Sequence, residues 1–567
     1  MTQPNPSTAM ARSVIDELIR GGCKLFVISP GSRSAALAIA ASEHQGAETR
    51  VVLDERSAAY HALGRAKTSG APAAVIATSG TAPANYLPAV VEADLSLAPL
   101  ILISADRPAE MRGVGANQTI DQVNLYGDRV RMFADIASPG SGGADDLNEY
   151  WRTVASGSVS ASLGLSGRPG PVHINIAFRE PTVPATNDGR TVGAKYPFSI
   201  EGRDNGARWF TREGLDPDPV ELGLDYHPQG VVIAGEGVYD RKELLGVAAD
   251  LAWPVLATAQ SRIRGEKVVS SYHHLFANGV PPSLNPEVVY AVGAIGPSQR
   301  LEDLVSAANV RIRVDYWGRH IDPRRNATHI VRADPATALA QLGPAPAGDR
   351  AWVDGWIDAD RRIRDALAKV MDEQTSSTGP AIARSLNESG WETLVVSSSL
   401  PIREVDAHLT RSGDVIANRG ASGIDGFVST ALGVSSTGRR TIALTGDLGL
   451  LHDSNGFLTD SDDDLVIVVV DNDGGGLFDR LPPAQHAPAY ERLFVAPQRR
   501  DLKQFSKFHN LAYHEVRHVA QLAHLVDDRL AVGGLSLIRV PVARDVDLEM
   551  SRRMDDAATT AVGLLDA

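Results

Sequence analysis

The sequence predicts an α/β protein made of three doubly wound domains, each built on a parallel sheet. Its 567 residues exceed the roughly 250–300 residues at which a single hydrophobic core stops growing. Short apolar stretches alternate with amphipathic stretches of helical period along most of the chain, as strands and helices do around parallel sheets. Gly, Ser, Asn or Pro follows most of the apolar stretches, where such strands turn into helices.

The domain boundaries follow from two breaks in this alternation. One stretch collects Pro, Gly, Asp and Asn, and the other contains GPAPAGDR followed by a helical pattern. We therefore predict a first domain, a linker, a central domain, a second linker with a connecting helix, and a third domain, at residues 1–185, 186–228, 229–345, 346–377 and 378–567. In the central domain, GEG at 235–237 lacks the rest of a dinucleotide fingerprint, so a tight turn is favoured over a nucleotide site.

The composition excludes several classes of protein. A net charge of −14 argues against a general nucleic-acid binder. No apolar run approaches the roughly 18–20 residues of a membrane span, and the N-terminal residues contain no hydrophobic signal core. The single cysteine, Cys23, excludes an internal disulfide and is expected to lie in the core. We therefore predict a cytoplasmic protein that acts on small molecules.

Two strand ends in the third domain carry metal-binding side chains. Asp447 follows the apolar stretch of TIALTGD, and Asn472 follows that of LVIVVVDNDGGG. Ligands gather outside the carboxyl ends of parallel strands, and carboxylate, amide and backbone carbonyl oxygens are the donors that Mg²⁺ prefers. The glycines would let the backbone approach a phosphate closely. Either motif alone is more often an ordinary turn, but the pair predicts a metal and diphosphate site.

This pair of motifs resembles the thiamine diphosphate (ThDP) motif. Gly446-Asp447-Leu448 and Asp471-Asn472-Asp473 depart from its commonest form, Gly-Asp-Gly followed by Asn-Asn, but keep the proposed ligands. The resemblance implies Mg²⁺ or Mn²⁺ held by Asp447, Asn472 and the carbonyl of Gly474. It also implies cofactor contacts at Gly446, Asp447, Leu448, Asn472, Gly474 and Gly475.

ThDP enzymes also need a glutamate that binds the aminopyrimidine ring of the cofactor and exchanges a proton with it. Glu55 in VVLDERSAAYHALG follows a strand and opens a helix, which is where ThDP folds place this residue. The alternative is an exposed acid that the helix N-terminus favours. The presence of the metal motif in the third domain favours the catalytic interpretation.

Eight motifs resemble one family of ThDP enzymes, 2-succinyl-5-enolpyruvyl-6-hydroxy-3-cyclohexene-1-carboxylate (SEPHCHC) synthase of menaquinone biosynthesis. They are ISPGSRS (28–34), DERSAAYHALG (54–64), ATSGTAPANYLPAVVEA (77–93), ISADRP (103–108), GANQTIDQ (115–122), SSSLPIRE (397–404), NRGASGIDGFVSTALG (418–433) and TGDLGLLHDSNG (445–456). The likeness covers both outer domains and is weak in the central one. It implies a transferase that decarboxylates 2-oxoglutarate and adds the resulting succinyl semialdehyde carbanion to isochorismate, giving SEPHCHC and CO2.

Both substrates carry two carboxylates, which arginine binds well because it can donate two parallel hydrogen bonds. By motif match, the residues that would bind isochorismate and the reacting intermediate are Ser32, Arg33, Arg107, Asn117 and Gln118. Those that would bind the carboxylates derived from 2-oxoglutarate are Ser399, Arg403 and Arg419. The implied catalytic residues are Glu55, Arg33, Gln118 and Arg403. Ile424 would hold the cofactor in its bent form, and its alternative role is core packing. Leu477 and Phe478 would form an apolar wall that shields the reacting carbon from water.

Glu55 and Asp447 fall in different predicted domains. The resemblance therefore implies an active site at a dimer interface, in a homodimer or a homotetramer. In the central domain only Arg300 of VGAIGPSQRL matches a basic pair of the family. Two alternatives stay open: another ThDP carboligase or decarboxylase such as acetolactate synthase, and a cofactor-binding regulator without turnover.

Overall fold

The computed structural model describes residues 5–139, 147–183, 200–214, 217, 221–345, 350–460, 462–486 and 488–563. These residues contain three six-stranded parallel sheets with helices between the strands. The α/β class and the three doubly wound sheets that the sequence predicts are therefore confirmed.

The first sheet has the strand order β2-β1-β3-β4-β6-β5. Its strands are β1 (Leu25–Ile28), β2 (Glu48–Val51), β3 (Ala73–Ala77), β4 (Leu100–Asp106), β5 (Phe133–Ile136) and β6 (Val172–Ala177). The helices of this part of the chain are α1 (Pro6–Arg20), α2 (Ala35–Glu43), α3 (Glu55–Ser69), α4 (Thr81–Ala84), α5 (Leu87–Ser96) and α6 (Asn148–Ser162). The central strands β3, β4 and β6 are buried along their whole length, as expected for a sheet covered on both faces.

The second sheet has the order β12-β11-β10-β7-β8-β9. Its strands are β7 (Gly230–Ala234), β8 (Val255–Ala257), β9 (Val268–Val269), β10 (Val288–Val292), β11 (Val310–Val314) and β12 (His329–Val331). Its helices are α7 (Arg241–Asp250), α8 (Tyr272–Leu275), α9 (Gln299–Ala307), α10 (Pro335–Ala340) and the connecting helix α11 (Ala351–Asp372). The connection after β7 packs closely against Ala294, because Glu236 forms a β-bridge with Ala294 and a Cβ at Gly235 would collide with the Ala294 carbonyl. The preference for a turn over a nucleotide site at GEG stays an interpretation.

The third sheet has the order β14-β13-β15-β16-β18-β17, which repeats the order of the first. Its strands are β13 (Thr393–Val396), β14 (Asp414–Ile416), β15 (Thr441–Gly446), β16 (Leu465–Asp471), β17 (Ala512–Glu515) and β18 (Leu535–Pro541). The helices of this part are α12 (Gly379–Ser385), α13 (Leu400–His408), α14 (Phe427–Ser435), α15 (Asp447–His452), α16 (Leu502–Phe508), α17 (Leu522–Val532) and α18 (Arg544–Gly563). In both outer sheets the chain reverses direction across the sheet next to the first strand, which is where such folds bind ligands.

Contacts between residues group the chain into two compact units. The first unit contains residues 1–215, 418–439 and 449–465, and the second contains residues 216–417, 440–448 and 466–567. Within the first unit α3 crosses α14 closely, because a Cβ at Gly64 or Gly433 would collide with the backbone of the other helix. The predicted domain boundaries stay a prediction, and residues 186–199 of the predicted first linker lie outside the described residues.

Two smaller expectations concern the core and the membrane. Cys23 is fully buried in the core of the first unit, as expected, and burial raises the pKa of its thiol. Across the described residues, no helix is both long enough and apolar enough to cross a membrane.

Candidate active site

Three oxygen atoms converge at the carboxyl ends of β15 and β16, in the second unit. Asp447 follows β15 as the first residue of α15, and Asn472 directly follows β16. The side-chain oxygen of Asn472 faces Asp447 Oδ1 at 3.2 Å and the carbonyl oxygen of Gly474 at 2.7 Å. All three atoms are hydrogen-bond acceptors, so they repel one another unless the Asn472 amide is flipped, which exchanges its oxygen and nitrogen, or a cation lies among them.

A divalent cation fits this arrangement. Around Mg²⁺ with ligands at about 2.0–2.1 Å in an octahedron, neighbouring oxygens lie about 2.9 Å apart, and the two observed separations lie on either side of that value. Burial, with a contribution from Asp471, raises the pKa of Asp447 to about 7. A bound cation would oppose this shift by stabilising the ionised carboxylate.

The three glycines after Asn472 serve different purposes. Only Gly474 has a positive φ, +131°, and a Cβ there would collide with the carbonyl of Val495. A Cβ at Gly475 would press on the ring of Phe478, and one at Gly476 on the Asn472 side chain. The glycine run therefore lets the turn pack against its own neighbours, and Gly474 alone needs the backbone freedom of glycine.

Glu55 lies in the first unit, as the first residue of α3. Its side chain is half-buried and lines a cavity of about 460 Å³ together with Asn85, Asn455, Leu53 and Leu458. No described residue forms a hydrogen bond or an ion pair with the Glu55 carboxylate. The carboxylate is therefore available to a ligand in this cavity.

Tyr86 is a second polar residue near Glu55 that has no hydrogen-bond partner in the described part of the chain. Its hydroxyl is buried and has no hydrogen-bond partner among the described residues. Burial raises the pKa of Tyr86 well above its usual value, and the charges of Tyr126 and Glu55 contribute. The sequence pattern did not indicate Tyr86, because within ANYLPAVV it is indistinguishable from a core aromatic residue.

Two arginines of the first unit lie close to each other at the ends of β1 and β4. Burial lowers the pKa of Arg107, and the charge of Arg33 lowers it further. Arg107 donates to Ser79 Oγ at 2.8 Å and to the Asn117 carbonyl at 3.0 Å, both of which are neutral acceptors. Arg33 donates to the Phe178 carbonyl and pairs with an exposed carboxylate. Two neighbouring guanidinium groups, of which Arg107 forms hydrogen bonds only to neutral acceptors, form a site suited to an anion.

Ser79 connects these groups to Gln118. The hydroxyl of Ser79 donates to the Gln118 carbonyl at 2.9 Å, and Gln118 Nε2 donates to the Ser79 carbonyl at 3.0 Å. Gln118 itself has φ +55°, an unusual conformation for a residue other than glycine, and such conformations concentrate at functional sites. Arg107 of the ISADRP motif is thus brought together with Asn117 and Gln118 of the GANQTIDQ motif.

The buried side-chain amide of Gln122 stabilises the turn that contains Ser79 and Gly80. Gln122, which is fully buried, accepts from the Gly80 N–H at 3.1 Å and donates to the Ala105 carbonyl and to Asn175 Oδ1. It thereby ties the turn after β3 to β4 and β6. Sequence reasoning missed Gln122, although it is the last residue of the GANQTIDQ motif.

In the second unit, Arg403 lies on the first turn of α13. It donates to the Ser399 carbonyl at 2.5 Å, and Ser399 precedes the helix with φ +81°. Burial, and then the charge of Arg480, lowers the pKa of Arg403. No described carboxylate pairs with Arg403, whereas Arg480 is neutralised by Glu404. Arg403 is therefore a second arginine that can receive an anionic ligand.

The remaining predicted residues occupy several places. Leu477 and Phe478 are half-buried in a short 3-10 helix (Gly476–Arg480) of the second unit. Ser32 is exposed after β1, whereas Arg419 and Ile424 are half-buried before α14, all three in the first unit. Arg300 of the central domain pairs with Asp555 at 2.9 Å, so its charge is already compensated.

Comparison with known proteins defines the class of this chain. The family model described as "Thiamine pyrophosphate enzyme, N-terminal TPP binding domain" matches residues 8–125, which contain Arg33, Glu55, Arg107 and Gln118. Thiamine pyrophosphate is another name for ThDP, and with the three parallel sheets this match defines a ThDP-dependent enzyme.

Relatives over nearly the whole chain define the family more narrowly. The SEPHCHC synthase of Thermobifida fusca (strain YX) is 39% identical over 98% of this chain and 100% of its own length. The synthases of Listeria monocytogenes serotype 4b (strain F2365) and Saccharopolyspora erythraea are each 35% identical, over 94% and 97% of this chain and 94% and 96% of their own lengths. The chain belongs to the 2-succinyl-5-enolpyruvyl-6-hydroxy-3-cyclohexene-1-carboxylate synthase family.

Proposed function

We propose that this protein decarboxylates 2-oxoglutarate and joins the remaining four-carbon unit to isochorismate, giving SEPHCHC and CO2 in menaquinone biosynthesis. Membership of the synthase family over nearly the whole chain carries the proposal. The relatives compared above share this name, and nothing in the described residues favours acetolactate synthase or a regulator without turnover.

The cofactor would be ThDP with Mg²⁺ or Mn²⁺. Asp447, Asn472 and the Gly474 carbonyl would hold the metal, because their oxygens converge at separations that suit an octahedral ion. When bound, ThDP supplies a nucleophilic carbon and an acceptor for the electrons released by decarboxylation. Glu55 would hold a proton at the aminopyrimidine ring, for which its unpaired carboxylate is suited.

The arginines would bind the substrate carboxylates. Arg403 forms no ion pair with any carboxylate of the described residues and would bind a carboxylate of 2-oxoglutarate. Arg33 and Arg107, with Gln118, would orient isochorismate. Leu477 and Phe478 would exclude water from the reacting carbon.

A dimer would complete the site, as the family resemblance implies for Glu55 and Asp447, which fall in different predicted domains. The rim of the Glu55 cavity supports this proposal, because the apolar residues Leu53 and Leu458 are 60% and 36% exposed there. Exposed apolar groups around a functional cavity are typical of a surface that a partner covers. A homodimer or homotetramer in the cytoplasm is part of the proposal.

The proposed reaction is tested by mixing the purified protein with ThDP, Mg²⁺, 2-oxoglutarate and isochorismate. We expect release of CO2 and a product whose mass equals the sum of the two substrates minus CO2. Omission of either substrate is the control and should abolish the product. Activity with pyruvate, and none with this pair, would contradict the proposal and favour another carboligase.

Replacing Gln122 with leucine is expected to raise the KM for isochorismate roughly tenfold or more while kcat with saturating isochorismate changes less. The substitution leaves the Gly80 N–H unpaired, which costs about 1–3 kcal/mol and loosens the turn that holds Arg107 and Gln118. The KM for 2-oxoglutarate should stay close to that of the parent. Steady-state kinetics with each substrate varied in turn would measure both effects.

The matched control for this variant is Ser104→Ala. Ser104 is equally buried and bonds to Asn175 Oδ1, but it does not contact the turn at Ser79 and Gly80. It should therefore lower stability without raising the KM for isochorismate. Equal KM changes in both variants would show that Gln122 acts only through general stability.

A further inference from the structure

Residues 452–460 run beside the start of the helix that carries Glu55. They belong to the first unit and contain the second half of the TGDLGLLHDSNG motif, which has no assigned role. Val52 and Thr459 form an antiparallel bridge, and the Leu53 N–H donates to the Leu458 carbonyl at 3.0 Å. The two segments are thus joined through their backbones immediately before α3 begins.

Side chains of the same segment hold the first turn of α3. Asn455 Nδ2 donates to Asp54 Oδ2 at 2.8 Å. The other oxygen of Asp54 caps the helix, because it accepts from the N–H groups of Arg56 and Ser57 at 2.9 and 3.3 Å. Asn455 therefore fixes the orientation of the capping carboxylate, which in turn fixes the backbone on either side of Glu55.

Two further contacts bind the turn to this segment. Arg56 Nη2 donates to the His452 carbonyl at 3.2 Å, and Ser57 Oγ donates to Asp453 Oδ1 at 3.4 Å. Asp453 is fully buried and also accepts from the N–H and hydroxyl of Ser429 at the start of α14. The side chains of Asp54, Arg56 and Ser57 are thus held by this segment, whereas that of Glu55 is not.

We propose that residues 452–460, here called the α3 clamp, position Glu55 for proton exchange with the cofactor, with Asn455 as the positioning residue. The inference rests on the proposed function, in which Glu55 meets the aminopyrimidine ring. Because no described residue holds the Glu55 carboxylate, its direction depends on the backbone from Asp54 to Ser57. The α3 clamp and the cap fix that backbone before any ligand arrives.

The chemistry of the pair explains why residue 455 is an amide. A carboxylate at this position would face the carboxylate of Asp54 at hydrogen-bond distance, and the two like charges would repel each other. Asparagine is as good a helix cap as aspartate. The pair can therefore be exchanged: Asp54→Asn with Asn455→Asp restores one donor and one acceptor in the opposite direction and keeps a capping oxygen.

The test compares the full-length parent, Asn455→Asp, and the exchanged double variant. Asn455→Asp is expected to speed backbone amide exchange at residues 55–58 roughly tenfold and to lower kcat by about 10- to 100-fold. The KM values and the affinity for ThDP, measured by calorimetry, should change less than about threefold. The double variant should recover slow exchange and most of the parent kcat.

Three outcomes would overturn the inference. Parental exchange and turnover in Asn455→Asp would show that the α3 clamp does not hold the turn. A double variant whose kcat stays as low as that of Asn455→Asp would show that Asn455 acts by direct contact with a ligand, not through Asp54. Accelerated exchange with unchanged kcat would show a purely structural role. If the parent itself has no turnover, the proposed function fails, whereas the exchange comparison needs no substrate and still decides whether the clamp exists.

Discussion

Replacing Glu55 with glutamine is expected to reduce kcat by about 10²- to 10⁴-fold, the usual contribution of a general acid–base group. Glutamine has the same length and can still accept a hydrogen bond, but it cannot exchange a proton with the cofactor. The helix should keep its start, because Asp54 and not Glu55 supplies the cap. The affinity for ThDP and Mg²⁺ should therefore stay within a few fold of that of the parent.

Two measurements separate proton exchange from binding. Calorimetry gives the ThDP affinity, and the rate at which the reactive cofactor carbon exchanges its hydrogen for deuterium reports the proton transfer without any substrate. The control is Glu43→Gln, a glutamate at the end of α2 that pairs with Arg12. Parental turnover in Glu55→Gln would show that another group activates the cofactor.

Replacing Asp447 with alanine is expected to abolish metal-dependent ThDP binding, with a loss of affinity of at least about 100-fold. The substitution removes one of three converging oxygens, and with it the only charged ligand that the protein is proposed to give the metal. The same variant should not be less stable than the parent when both lack metal at pH 8. Because burial raises the pKa of Asp447 to about 7, the ionised carboxylate destabilises the folded apo protein above that pH.

The sign of this stability effect follows from the direction of the pKa shift of Asp447. For an acid whose pKa is raised by folding, the penalty is absent below its ordinary pKa near 3.8 and complete above about 7. Thermal melts at pH 8 should show that Mg²⁺ with ThDP raises the Tm of the parent and not that of Asp447→Ala. The control is Asp473→Asn, whose side chain bonds to the Arg499 N–H and not to the oxygen cluster. A metal-dependent Tm rise in Asp447→Ala would place the metal elsewhere.

Local pattern was sufficient for the secondary structure around the site. The apolar stretches before Asp447 and Asn472 are β15 and β16, and Glu55 begins a helix as expected. Such features depend on residues within a few positions of each other, through hydrophobic period, capping side chains and glycine. The three parallel sheets follow from the same alternation, since strands separated by helices pair in parallel.

The contacts between distant segments could not be predicted from local sequence patterns, because tertiary packing decides them. Asn455 reaches Asp54 across 401 positions, and Gln122 reaches Gly80 across 42. Residues 418–439 and 449–465 join the first unit although they lie in the predicted third domain. The glycines after Asn472 serve close packing as well as backbone freedom, which their sequence does not reveal.

The difference between what the sequence predicts and what only the tertiary structure shows has one physical cause. The sequence identifies a ThDP-dependent synthase because the groups proposed to bind the metal, the cofactor and the carboxylates stand at strand ends with recognisable neighbours. The positioning residues, Gln122 and Asn455, are ordinary amides in sequence and gain their roles only from the atoms that folding brings to them. Hydrogen bonds between distant segments depend on how sheets and helices pack together, and only the tertiary structure contains that information.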